Sequence, residues 1–117
     1  MRWYDRLRRS SEIAFVRKRG RRAATPTFAA YALPAERRGP LVAVTVSKAV
    51  GPAVVRNRVR RRIRGALDAL PPPSRPLRVL FVAKPGAGES PYARLAADVS
   101  SALGQLVATE GRAGLPK

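Results

Sequence analysis

Histidine and cysteine are both missing from this chain of 117 residues, and only seven side chains are acidic. Each shortage closes a class of chemistry. Without cysteine there are no disulfides, thiolate nucleophiles or thiolate metal sites. Without histidine the commonest general base is gone. The carboxylates are Asp5, Glu12, Glu36, Asp68, Glu89, Asp98 and Glu110, scattered along the chain with no metal-site spacing. No catalytic residue and no metal ligand is therefore assigned to the protein itself. No apolar run approaches the length that spans a bilayer. The start, MRWYDRLRRSSE, is basic but lacks the apolar stretch of a secretory signal. A cytoplasmic protein with no membrane partner is the expectation.

Basic side chains are abundant. Lys and Arg number 24, the formal net charge is +17 and the pI is near 11.9. Such a chain repels itself, and its expected partner is a polyanion. Hydrophobic residues still make up 45%, enough for a folded core rather than wholesale disorder. The length suits one domain, residues 1–117, with an ordered core at about 5–108, a basic start and a loose tail from Gly111.

Ser10 or Ser11 can cap a short helix carrying Ile13 and Val16, with Gly20 as its stop. Residues 26–33, PTFAAYAL, read as a strand with Phe28 and Tyr31 on opposite faces. A turn is expected at 35–40. LVAVTV at 41–46 and LRVLFVAK at 77–84 read as buried strands. Between them Gly51-Pro52 breaks the chain, with Pro52 suited to the first turn of a second helix. PPPSRP at 71–76 is a stiff connector, and PGAG at 85–88 is a turn without the Lys-Ser/Thr of a P-loop. Ser90-Pro91 opens a last helix with Tyr92, Leu95, Ala96, Val99, Leu103 and Leu106 on one stripe. The predicted order is α-β-β-(β)-α-β-α. The bracketed strand forms if 21–33 or 41–50 divides in two. The fold class is α+β, an α/β sandwich with a small mixed central sheet of three or four strands.

The helix after Pro52 carries the chemistry. At 100° per residue, Val55, Val59, Ile63, Ala66, Leu67 and Leu70 share one stripe. Arg56, Arg60 and Arg64 run up one flank, Arg58 and Arg62 up the other, and Asn57 and Arg61 lie between them. No acid occurs between Glu36 and Asp68, so no ion pair along the helix offsets the repulsion. A solvated face would carry mixed charges. This one is read as nucleic-acid binding through phosphate and shape contacts. Lys48, just upstream, joins the same basic surface. Gly51 lets the chain turn and also suits a compact loop whose amides meet phosphates. If Phe28 faces the core, Tyr31 looks out from the other sheet face, where it could stack on an unpaired base.

Ser47, Lys48, Gly51, Ala53, Val54, Arg56, Asn57, Arg58, Arg60, Arg61, Ile63 and Arg64 together match a long and specific run. With them the chain resembles the protein component of bacterial ribonuclease P. DRLRRSSEIAFVRKRG resembles that family's first helix, TFAAYAL its first strand, and LRVLFVAKPGA its last strand and turn. The resemblance implies a left-handed βαβ crossover, against the usual hand. It also implies an accessory subunit of a ribonucleoprotein endonuclease whose RNA does the chemistry. That RNA removes the 5′ leader of precursor tRNA, with Mg²⁺ bound mainly by the RNA subunit. The implied partners are ribonuclease P RNA and precursor tRNA, with the protein monomeric outside the holoenzyme. Lys48, Arg56, Asn57, Arg58, Arg60, Arg61, Arg62 and Arg64 would meet the catalytic RNA. A leader cleft between the first helix and the sheet would be lined by Ile13, Arg17 and Tyr31. Ile13 and Arg17 stand where many relatives have Phe, so an apolar wall and a guanidinium replace aromatic rings there. The rivals are a ribosomal or assembly protein, an architectural DNA binder and a stand-alone nuclease; no groove-reading or dimerising motif supports the second, and the third lacks catalytic side chains.

Overall fold

The computed structural model describes residues 3–35, 39–73 and 75–113, with side chains described as far as Val107. Five strands form one mixed sheet in the order β1-β4-β5-β3-β2. They are β1 (Asp5–Arg6), β2 (Arg21–Ala24), β3 (Phe28–Pro34), β4 (Leu41–Thr45) and β5 (Leu77–Ala83). The helices are α1 (Ser10–Arg19), α2 (Ala53–Asp68) and α3 (Tyr92–Ala113), with short 3₁₀ turns at Lys48–Val50 and Pro85–Gly88. β4 runs parallel to both β1 and β5, while β3 is antiparallel to β5 and β2. The link β4–α2–β5 is therefore a βαβ crossover between adjacent strands.

Alternation along the strands splits the interior in two. Phe28, Ala30, Ala32, Val42, Val44, Leu77, Val79 and Phe81 face α2 and α3 in the larger core. There Phe28 and Phe81 meet edge to face at 5.2 Å between ring centroids. Leu41, Ala43 and Leu80 face the other way, toward Leu7 and the fully buried Val16 of α1, with Ile13, Tyr31, Leu33 and Val82 at the margin. Because both faces are covered, the central strands read as nearly continuous apolar runs. Phe28 and Tyr31 do lie on opposite faces, as the alternation requires.

The sheet is larger than the three or four strands expected. Residues 21–33 do divide, into β2 and β3, around the Thr25-Pro26-Thr27 turn. Thr25 Oγ1 and the Phe28 amide and carbonyl close that turn. Residues 41–50 give one strand and a 3₁₀ turn. β1 went unseen because two residues have no readable period. The cap of α1 is Arg9 rather than Ser10 or Ser11, and no side chain bonds there. Pro52 is the residue before α2 rather than inside its first turn. α3 runs on through Gly111 to Ala113. Part of the turn at 35–40, Ser74 of the connector and the last four residues lie outside the described residues.

Three further hydrogen bonds position the helices. Trp3 Nε1 donates to the Leu67 carbonyl at 3.1 Å, and Tyr4 Oη donates to Asp68 Oδ1 at 3.1 Å. The start of the chain thus clasps the end of α2. Thr27 Oγ1 donates to the buried Asp98 Oδ2 at 2.7 Å, joining the β2–β3 turn to α3.

Gly20 ends α1 in an extended conformation (φ −71°, ψ 157°), not the left-handed one a helix-ending glycine often takes. Its constraint is space. A Cβ there would sit 2.5 Å from the Val16 carbonyl oxygen and 3.0 Å from both the Ala32 amide nitrogen and carbonyl oxygen. All three neighbours are backbone and cannot swing away. Gly20→Ala is expected to destabilise the fold by about 1–3 kcal/mol, the usual range for overpacking. Urea unfolding should show a lower midpoint at an unchanged m-value; a midpoint equal to wild type would contradict this packing.

Candidate nucleic-acid interface

α2 is placed by its apolar stripe. Val59, Ile63, Ala66 and Leu67 are buried, while Val55 and Leu70 pack half-buried at the edge of the same core. The cationic residues then have nowhere to go but outward and sideways. Asn57 and Arg61 point to solvent, and Arg56, Arg58, Arg60, Arg62 and Arg64 are half-buried along the flanks. The two flanks differ. On one, Arg58 donates from its NH2 group to the Gly88 carbonyl at 3.4 Å, and Arg62 donates from NH1 to the Ser90 carbonyl at 3.3 Å. Both tie α2 to the segment between β5 and α3. On the other flank, Arg60 NH1 donates to Asn57 Oδ1 at 3.2 Å. The Nε atoms of Arg56 and Arg58 are buried without a hydrogen-bond partner.

Before α2, the Lys48–Val50 turn packs against its start and leaves Lys48 exposed. Gly51 has φ 153° and ψ −173°, a conformation open to glycine and strained for other residues. Its amide already donates to the Lys48 carbonyl at 3.2 Å. The turn is thus Gly51's evident role.

On the opposite sheet face, α1 crosses from the β4 edge, where the Leu7 amide donates to the Val42 carbonyl, to Gly20 against Ala32. It covers the rows Leu41–Arg78–Leu33 and Ala43–Leu80–Tyr31. The next row, Thr45–Val82–Ala29–Ala24, continues the same face beyond the helix. Ile13 and Tyr31 each pack against the margin of one small cluster, and Arg17 lies exposed one turn after Ile13. Arg22, not singled out from sequence, stands opposite Tyr31 in the β2–β3 register and donates from Nε to Tyr31 Oη at 3.3 Å. A β2 drawn in register with β3 would have revealed it. Tyr92 is the other residue missed. It was placed on the buried stripe of α3 but is 44% exposed, beside Arg58, Arg61 and Arg62.

Together these features define a class: small, strongly basic α+β proteins that dock an arginine helix on a mixed sheet. Residues 1–107 match the family model for Ribonuclease P. The chain belongs to that family. It is 42% identical over 116 residues to the "Ribonuclease P protein component" of Streptomyces bikiniensis, covering 88% of this chain and 92% of that one. It is 40% identical over 113 residues to the "Ribonuclease P protein component" of Acidothermus cellulolyticus, covering 93% of each. Among solved structures, the RNase P protein of Staphylococcus aureus superposes with a TM-score of 0.78 at 18% identity, over 90% of this chain and 95% of that one. The RNase P protein of Thermotoga maritima gives 0.71 at 15% identity, over 88% and 96%. At such identities the superpositions speak for the fold.

The unequal arginines make a stability prediction. Arg62→Ala removes a tie to Ser90 and is expected to lower Tm by a few degrees, equivalent to about 0.5–1 kcal/mol. Arg61→Ala removes only an exposed, self-repelling charge and should leave Tm unchanged or slightly raised. Calorimetry at low salt separates the two; equal losses for both variants would contradict the assignment of flank and face.

Proposed function

We propose that this protein is the accessory subunit of a ribonuclease P ribonucleoprotein. It binds the catalytic RNA through α2 and holds the 5′ leader of precursor tRNA on the opposite sheet face. The observation that carries this reading is the outer surface of α2. Arg56, Arg58, Arg60, Arg61, Arg62 and Arg64 share one helix, and no acidic residue lies within it before Asp68 at its end. Lys48 extends the charge toward the start of the helix. Polyphosphate is the ligand that turns this repulsion into binding, by releasing counterions as each phosphate is neutralised.

Leader recognition falls to Ile13, Arg17 and Tyr31. Ile13 supplies apolar wall, Arg17 a guanidinium for phosphate or stacking, and Tyr31 an aromatic ring whose hydroxyl is held by Arg22. Phosphodiester cleavage belongs to the RNA, together with the Mg²⁺ it requires. Among the described residues no three His, Cys, Asp or Glu side chains converge on a metal-sized site. The subunit acts in the cytoplasm and is monomeric until it joins the RNA. Among the described residues no helix is long and apolar enough to cross a membrane.

Reconstitution tests the reading. Purified protein is added to a bacterial ribonuclease P RNA and a leader-bearing precursor tRNA at low Mg²⁺. Cleavage at the mature 5′ end should be restored. No stimulation, with equal affinity for unrelated structured RNA, would instead indicate a ribosomal or assembly protein. A finer expectation concerns Tyr31→Ala. It should weaken holoenzyme binding to precursor tRNA by roughly 5- to 100-fold, the worth of about one stacked base. Mature tRNA, which lacks the leader, should bind as before. Equal loss for both substrates would show that Tyr31 is only structural.

A further inference from the structure

We propose that the recess between α2 and the start of α3 binds one unpaired nucleotide of RNA. Arg58, Arg61 and Arg62 hold its phosphate, and the ring of Tyr92 stacks on its base. This rests on reading α2 as the RNA-binding helix and adds to it a residue from another element. The recess has a volume of about 310 Å³ and is lined by Arg58, Arg61, Arg62 and Tyr92. That lies at the lower end of the roughly 300–1,000 Å³ typical of small-ligand sites, a size suited to one nucleotide rather than a helix.

Its chemistry is one-sided. Three of the four lining side chains are cationic, and none of the three makes an ion pair with a described residue. Arg58 and Arg62 are already oriented, each with one N–H on a backbone carbonyl, of Gly88 and of Ser90. A guanidinium carries five N–H donors, so each keeps several for a ligand. Arg58 Nε is buried with no hydrogen-bond partner. That atom is closed to solvent as well, so the ligand meets the terminal N–H groups of the guanidinium. The recess also lies at the N-terminal end of α3, where the helix dipole favours negative charge.

Tyr92 decides what kind of anion fits. Its position on the helix wheel belongs to the buried stripe, yet the residue is 44% exposed. Its hydroxyl lies over Gly65, 3.9 Å from where a Cβ would stand. An aromatic face beside a guanidinium cluster matches a base and its phosphate together. Inorganic phosphate alone would leave the ring unused. A paired nucleotide keeps its base inside the stack, so the ligand is unpaired.

The test measures binding of the full-length protein to bacterial ribonuclease P RNA across a range of KCl concentrations. Tyr92→Ala and Tyr92→Leu should each bind about tenfold more weakly, with the slope of log K against log salt unchanged, because no charge is lost. Tyr92→Phe should bind like wild type. Arg61→Ala should weaken binding and make the slope shallower by about 0.7–0.9. Tyr92→Leu keeps apolar bulk over α2, so a loss in that variant is a loss of the aromatic face. The proposal is overturned if Tyr92→Ala binds within twofold of wild type, if Leu serves as well as Phe, or if Phe is as weak as Ala. Should Arg61→Ala also have no effect, the reading of α2 as the RNA-binding helix fails with it. Should Arg61→Ala weaken binding while the Tyr92 variants do not, the nucleotide site alone fails.

Discussion

Everything in this molecule depends on burying one side of α2. Five pairs of arginines stand three or four residues apart on that helix, from Arg56–Arg60 to Arg61–Arg64. At about 0.2–0.5 kcal/mol per like-charged pair, their repulsion costs roughly 1–2.5 kcal/mol before any ligand arrives. Full burial of Val59, Ile63 and Leu67 contributes about 1.5–3 kcal/mol each as an upper bound. Burial wins, but only while the stripe stays docked. The clasp of Trp3 and Tyr4 on the last turn, and the bonds of Arg58 and Arg62 to the segment before α3, hold it there.

This docking divides the sheet. One face is occupied by α2 and α3 and presents arginines outward. The other carries α1 over two rows of side chains, with a third row beyond it. A ribonucleoprotein subunit that must touch its own RNA and a substrate at once has a use for two such faces. On the proposed reading, α2 meets the catalytic RNA while Ile13, Arg17 and Tyr31 meet the leader. The same separation puts Phe28 and Tyr31, three residues apart, in different clusters on opposite faces of the sheet.

The body of α2 was legible because it is long and periodic: Val59, Ile63 and Leu67 repeat every four residues and, with Ala66, are buried. β4 and β5 were legible as apolar runs between breakers. What escaped notice was either short or tertiary. β1 has two residues and no period. The Trp3–Leu67 and Tyr4–Asp68 bonds join residues 64 apart. The Arg22–Tyr31 contact needs the β2–β3 register, and the exposure of Tyr92 depends on α3 beginning at the edge of α2. Family membership was legible from the Ser47–Arg64 run, because that signature fixes residue types as well as spacing.

The central claim is that the arginine face of α2 lies on the RNA. A chain without cysteine allows a single thiol to be placed at will. Val54 is 75% exposed on that face and is not itself a proposed contact. An iron chelate on Val54→Cys, generating hydroxyl radicals, should cut ribonuclease P RNA at one localised cluster of nucleotides. The same probe on Gln105→Cys, thirteen residues into α3 from Tyr92 and about 20 Å along its axis, should cut weakly or not at all. Equal cutting from both positions, or none from position 54, would contradict the placement of this helix on the RNA.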